Sequence, residues 1–390
     1  MRKNIIAVCF IILLSEHLLY TVPNSPWFPL ASIIGCACVA RGKIVIADDI
    51  RPLYKMLSKI FGVYIISMIY TVVTRIQPIR DAIVKYYPLL LILVTAFLSF
   101  LCIYRKKDHS TVRCGIEWAA TCVGTLYALQ SLIYPKIIII TNGISEVHNG
   151  IRTVSGGILL AIGFLLLLEN AMDTFCFSNL LKLLLVTYGL LFVNRSRSLL
   201  FATFVAAIVV LNDKFKQYIK QSETSGRIAK LIRGVILIVG AYFLVNFIGE
   251  VIGISYQMGE SSSIKRIGAY KYYWNLFLQH PMFGIGYVGN QLVNGFARVG
   301  VAMGYYIDDI GIVGFIAQFG LLAVLINYVW YRYILKNIDN KSSAGIKAVI
   351  TFVTIILPFN CIFNTNAIYA SLIPLMVWEE QYVRKTMESQ

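Results

Sequence analysis

The chain reads as an all-α integral membrane protein of about twelve spans with one large loop outside the cytoplasm. Three observations predict this. Of its 390 residues 58% are hydrophobic and only 14% charged, with a mean hydropathy of +0.72, more apolar surface than a soluble core hides. Apolar runs close to the length that crosses a bilayer recur from end to end, separated by short polar joins. The basic residues also sort by side: with the N-terminus inside, 24 of the 35 lysines and arginines fall in cytoplasmic segments and 11 outside. Such a bias is the charge signature of an inserted helical protein.

The expected spans lie near 4–20, 28–46, 60–74, 87–104, 115–134, 154–170, 178–193, 198–212, 234–254, 309–331, 346–358 and 365–383. The first follows Met1-Arg2-Lys3 like a signal peptide, but no small-residue cleavage site comes after it. An uncleaved helix is therefore expected. The whole chain, 1–390, forms one polytopic domain with both termini cytoplasmic. The net charge of +16 does not point to nucleic acid, because the cations stand in short groups between apolar runs. The eight cysteines fall mostly within or beside those runs and read as packing residues. The four histidines form no metal-ligand motif.

Two outer loops stand out. Residues 135–153 carry an apolar β-branched run, KIIII, followed by turn residues. Residues 255–308, between spans nine and ten, form the large extracytoplasmic loop. In it Ser261-Ser262-Ser263 offers a helix N-cap, and apolar residues recur at Ile264, Ile267, Tyr270, Trp274, Phe277 and Leu278. That spacing predicts an amphipathic helix with Lys265, Arg266 and Lys271 largely off its apolar face, ended by Pro281. Such a helix would rest on lipid headgroups. The turn GIGYVGN, 284–290, allows close backbone approach, so its N–H groups are expected to face an anion. Residues 291–299 suggest a further short helix carrying Arg298.

Asp308-Asp309 stand at the outer lip of the next span. Acids there complement a helix macrodipole, and they are equally placed to accept a proton from a hydroxyl. Asn194-Arg195-Ser196-Arg197 lies between two apolar spans on the outer side, where arginines are disfavoured and need a reason. Snorkelling at a span end is one; an anionic ligand is the other. On a helix, residues two apart point about 200° from each other, so at most one of this pair would face a central cavity.

Several stretches, taken in order, resemble the O-antigen ligase/O-antigen polymerase family of membrane glycosyltransferases. They are Ser196-Arg197 with its following helix, Arg266 followed by HPMFGIGY after one amphipathic helix, and the span entry DDIGIVGFIAQFG. A weaker match is Arg152-Thr-Val-Ser-Gly-Gly. The likeness covers about a quarter of the chain. It implies a fold of the C-type glycosyltransferase class in a bacterial cytoplasmic membrane, acting on a polyprenyl-diphosphate-linked glycan. By family likeness Arg197 and Arg266 hold the diphosphate, with no nucleotide sugar and no cofactor or metal. Guanidinium forks suit that task, since they match phosphate oxygens and stay charged. Arg195, Arg152 and Arg298 complete the set of outer arginines proposed for the diphosphate. The acceptor hydroxyl attacks the anomeric carbon from the opposite face, so inversion is expected.

The ligase branch places a histidine near the end of the long loop, and here none lies between Gly286 and Gly314. The expectation is therefore a polymerase of repeat units for O-antigen, capsule or exopolysaccharide, with Asp308 and Asp309 as the base candidates. A ligase moving a finished glycan to a lipid or protein, and a flippase for lipid-linked glycans, are the alternatives. Membrane lipids, a flippase and a chain-length regulator are the partners the resemblance implies.

Overall fold

The computed structural model describes residues 2–16, 50–75, 78–79, 82, 111–138, 140, 144–147, 150–153, 155–221, 234, 261–287, 300–363 and 367–388. The spans expected at 28–46 and 87–104, nearly all of that at 234–254, the helix at 291–299 and Arg298 lie outside these residues. The described chain is mostly helical. Three stretches are long and apolar enough to cross a membrane: Arg51–Thr74, Phe177–Asn194 and Arg197–Ile219. A bent pair, Ile307–Phe319 with Leu321–Asn337, makes a fourth if it is one span. These helices mark a membrane-embedded protein.

The chain divides into two compact units, one from residues 1–23, 109–251 and 340–355, the other from 24–108, 252–339 and 356–390. In the first, α1 (Arg2–Ser15) packs on α3 (Thr111–Ile133), where α2 is the helix Arg51–Arg75 of the second unit. α3 also packs on α4 (Gly157–Asp173) and α5 (Phe177–Tyr188), and α4 on α6 (Arg197–Gln221). Small residues let these backbones approach closely: a Cβ on Gly163 would overlap Ala120. Between α3 and α4 the loop forms a hairpin, β1 (Ile144–Val147) against antiparallel β2 (Gly150–Thr153), with Ser145 opposite Arg152. This is the one departure from an all-α fold among the described residues, and it follows from the β-branched, turn-rich loop.

An ion-pair network lies at one end of this bundle. Arg113 reaches Glu117 and Glu169, each at 2.9 Å, and donates to the Asn170 side-chain carbonyl at 2.6 Å. Lys214 meets Asp173 at 2.6 Å and Glu169 at 3.5 Å. Glu169 also accepts from the Ala344 amide at the start of α10 (Ala344–Ile356), and Lys347 pairs with Asp213 at 3.3 Å. All these residues stand at span ends that the charge rule assigns to the cytoplasmic side. Glu117 and Glu169 are nonetheless buried within helices.

In the second unit the predicted span 309–331 is broken. A 3-10 turn, Ile307–Ile310, leads into α8 (Gly311–Phe319), and α9 (Leu321–Asn337) leaves at 116° to the first half. The break is at Gly320, whose φ of 61° and ψ of −141° only glycine adopts readily. The short helix α8 then exposes orphan backbone groups at both ends. At its start Ile312 N–H donates to the Leu357 carbonyl at 2.9 Å. At its end the Ala317 and Gln318 carbonyls accept from Ile285 and Gly286, at 2.8 and 2.9 Å, while Leu321 N–H donates to Pro281. The glycine turn is therefore used as a helix cap. The amides of Gly284, Ile285 and Gly286 face carbonyls, not an anion, because a broken helix buried in apolar surroundings needs them. Residues 288–290 of that turn lie outside the described residues.

α2 packs on α9, and α9 on α11 (Ala367–Glu388). Aromatic side chains fill this core, with Phe315 against Phe319 and Phe363, and buried Trp330 donating its indole N–H to the Ala370 carbonyl.

Candidate functional site

The first unit carries three of the predicted arginines, Arg152, Arg195 and Arg197, on two segments that pack together. α5 ends in a π-helical segment, Gly189–Asn194, and the chain then turns through Arg195 in the left-handed region, φ 51°. Arg195 and Arg197 therefore do not share one helix and their helical phase does not relate them, because the break comes between Asn194 and α6. The geometry separates the pair all the same. Arg195 donates Nε to the Phe192 carbonyl at 2.6 Å, whereas Arg197 opens α6 as an exposed residue. Buried Asn194 donates its side-chain amide to the Thr153 carbonyl at 3.0 Å, tying the break to β2. Arg152 stands next to Thr153, and Arg195 next to Asn194, so the backbone segments that carry these arginines, the hairpin and the helix break, are packed together. Arg152 is half-buried, and its Nε is enclosed without a hydrogen-bond partner among the described residues. A guanidinium nitrogen left so is a position that an anion would satisfy.

In the second unit the predicted loop helix is α7, Ser261–Gln279. Its boundaries agree with the serine cap and Pro281, but it buries a different face. Ala269, Tyr273 and Leu276 pack on Ile285, Ile307, Ile310 and Ala317. Ile264, Ile267, Trp274 and Leu278 of the expected face are exposed, by 41–59%. The tyrosines decide the choice. Tyr273 donates its hydroxyl to the Tyr305 carbonyl at 3.1 Å, and Tyr270 to the Pro358 carbonyl at 2.7 Å, so both phenols bury their rings with the polar tip satisfied. The exposed stripe remains suited to a lipid interface.

Arg266 is exposed on the flank of that packed face, one turn before Tyr270. Burial raises the Tyr270 phenol above its ordinary value, and the Arg266 guanidinium pulls it back part of the way. Burial likewise raises Tyr273, with Tyr272 and the Asp308 carboxylate adding to the effect. Asp308 and Asp309 are both exposed on the 3-10 turn against which α7 packs. The structure thus gives this unit a cation, two phenols and two carboxylates along one helix and the turn beneath it. The tyrosines were absent from the sequence-based site; their spacing, 270 and 273 on a loop helix, was the signal available.

Among the described residues no three His, Cys, Asp or Glu side chains gather as metal ligands. No family model and no curated protein matches this chain.

Proposed function

We propose that the chain is a membrane glycosyltransferase that polymerises polyprenyl-diphosphate-linked oligosaccharide repeat units for a bacterial surface polysaccharide. The observation that supports this reading is the arginine-rich rim, where the Thr153–Asn194 bond joins the segments carrying Arg152, Arg195 and Arg197, and where the Arg152 Nε is buried without a hydrogen-bond partner among the described residues. Arginines on the side of the membrane that disfavours them, arranged so, fit a multiply charged phosphate ligand.

In this mechanism the arginines neutralise the diphosphate as it leaves, and most of the rate gain comes from that charge stabilisation. Arg197 and Arg266 are each assigned a diphosphate contact. Asp308 or Asp309 takes the proton from the acceptor hydroxyl, which attacks the anomeric carbon with inversion. Both carboxylates are open to solvent and stand at the start of a short helix, where an incoming sugar meets them.

The test is reconstitution with lipid-linked repeat units. A polymerase yields a ladder of longer chains, and no elongation in vesicles where a known polymerase works refutes the reading. Arg197→Ala and Arg266→Ala are expected to lower elongation about 100-fold or more, on the scale of losing one charge-stabilising donor. Arg195→Ala is expected to be milder, because its Nε is already engaged by Phe192. Transfer of a single glycan to one acceptor, without laddering, identifies a ligase.

The break at Gly320 and the buried Glu117 and Glu169 favour a second reading, a transporter of lipid-linked glycans. Translocation by the purified protein, with no glycosyl transfer, identifies it.

A further inference from the structure

Far along α2 and α9 from the loop helix lies a groove that the glycosyltransferase reading does not use. It is a cavity of about 700 Å³ between these two helices of the second unit. Its floor is apolar: Met56, Ile60, Val63 and Ile326 are all buried. One end is strongly basic. Lys55 and Lys59 stand one turn apart on α2, and Arg332 and Lys336 one turn apart on α9. Each pair therefore lies along one face of its helix, and the two pairs line the same space.

Four further facts bear on what fills it. The residues lining the cavity include these four cations and no carboxylate, among the described residues. Asp339, the next acid along from α9, is taken by Arg384 at 2.9 Å. Arg332 is held by its own helix, its guanidinium lying over the Tyr328 ring and donating to the Tyr328 hydroxyl at 3.1 Å. Gly62, at the middle of the α2 wall, has nothing among the described residues within 4 Å of the position a Cβ would take. A helix that gains nothing in close packing from its glycine leaves a channel open there, against the usual helix preference for a larger residue.

We propose that this groove binds an anionic phospholipid, with the headgroup phosphate among Lys55, Lys59, Arg332 and Lys336 and an acyl chain past Gly62 along Ile60 and Val63. Charge complementarity selects an anionic headgroup over a zwitterionic one, and the long apolar floor selects a lipid over a free phosphate. Snorkelling alone accounts for cations at a helix end. It does not account for their sharing one walled cavity that continues into an apolar channel.

The test uses the purified full chain in detergent, exposed to phosphatidylglycerol, phosphatidylcholine of the same acyl chains, glycerol phosphate and a polyprenyl diphosphate, with retention read by native mass spectrometry. Phosphatidylglycerol is expected to be retained at least tenfold over phosphatidylcholine and over glycerol phosphate. The combined Lys55→Gln, Lys59→Gln, Arg332→Gln, Lys336→Gln variant is expected to fall to the phosphatidylcholine level. Exchanging the two lysines for arginine is expected to retain the lipid, which separates charge from fold. Gly62→Leu fills the channel without a clash and is expected to lower retention tenfold with no loss of thermal stability. Arg266→Ala is expected to leave retention unchanged, so this site stands or falls apart from the proposed reaction. Equal retention of phosphatidylcholine, preference for the polyprenyl diphosphate, or full retention by either the charge variant or Gly62→Leu overturns the proposal.

Discussion

Replacing Arg113 by methionine is expected to destabilise the first unit more than replacing Glu169 by glutamine, although both residues belong to one network. The network joins three carboxylates, Glu117, Glu169 and Asp173, to two cations, Arg113 and Lys214. Glu169→Gln removes one negative charge and leaves Arg113 with Glu117 and Lys214 with Asp173. The amide oxygen is still able to accept from Ala344. Arg113→Met instead leaves two buried carboxylates, Glu117 with the Asn170 amide and Glu169 with Lys214 and the Ala344 amide, and one cation fewer to balance them; it also strips the Asn170 side-chain carbonyl and the Leu166 carbonyl of a donor. Removing one partner of a buried ion pair costs about 3–5 kcal/mol. Arg113→Met belongs near the top of that range, since the side-chain exposures are 16% for Arg113 and 3% for Glu169. Glu169→Gln belongs at about 1–2 kcal/mol, the scale of a weakened hydrogen-bonded contact with the charge balance kept. Thermal unfolding of the purified protein in detergent, with the double variant completing a cycle, measures both and their coupling. A larger loss for Glu169→Gln than for Arg113→Met, or additive effects in the double variant, refutes the charge count as the basis of the network.

Three further outcomes follow from the second unit and the rim. Gly320→Ala forces a side chain into a backbone conformation costing about 1–3 kcal/mol and against the Pro281 carbonyl; a lowered melting temperature checks it, and an unchanged one refutes the break as a structural need. Tyr273→Phe is expected to lose about 1 kcal/mol with the bond to Tyr305. Because the folded phenol is raised above its ordinary 10.0, that contribution is fully present below the unfolded value and is lost as pH rises through the folded one. Protease cleavage of the loop should therefore rise above about pH 10 in the parent and change less with pH in Tyr273→Phe. Arg152→Gln is expected to weaken binding of a soluble diphosphate about tenfold, as one charge-assisted bond is lost; equal binding by parent and variant, measured by calorimetry, removes Arg152 from the site.

The helices were legible because their cause is local. A run of apolar residues with few charges has to satisfy its own backbone in lipid, and only helix does so along one segment. Hence α2, α3, α4, α5, α6, α10 and α11 fall where the hydropathy places them, and Ser261 and Pro281 bracket α7 by cap and ring chemistry. Arg195 and Arg197 drew notice for a different reason, since the charge rule expects them on the side of the membrane where arginines are disfavoured. The face that α7 buries was not legible, because two apolar faces compete on that helix. Only the carbonyls of Tyr305 and Pro358, more than thirty residues away in the chain, decide for Tyr270 and Tyr273. Nor was the break at Gly320, since glycines are ordinary in membrane helices and IGIVGFIAQFGLL scans as one apolar run. What makes it a break is distant backbone: Ile285 and Gly286 donate to the Ala317 and Gln318 carbonyls, and Pro281 accepts from Leu321, in place of the bonds a continuous helix would have made across Gly320 itself.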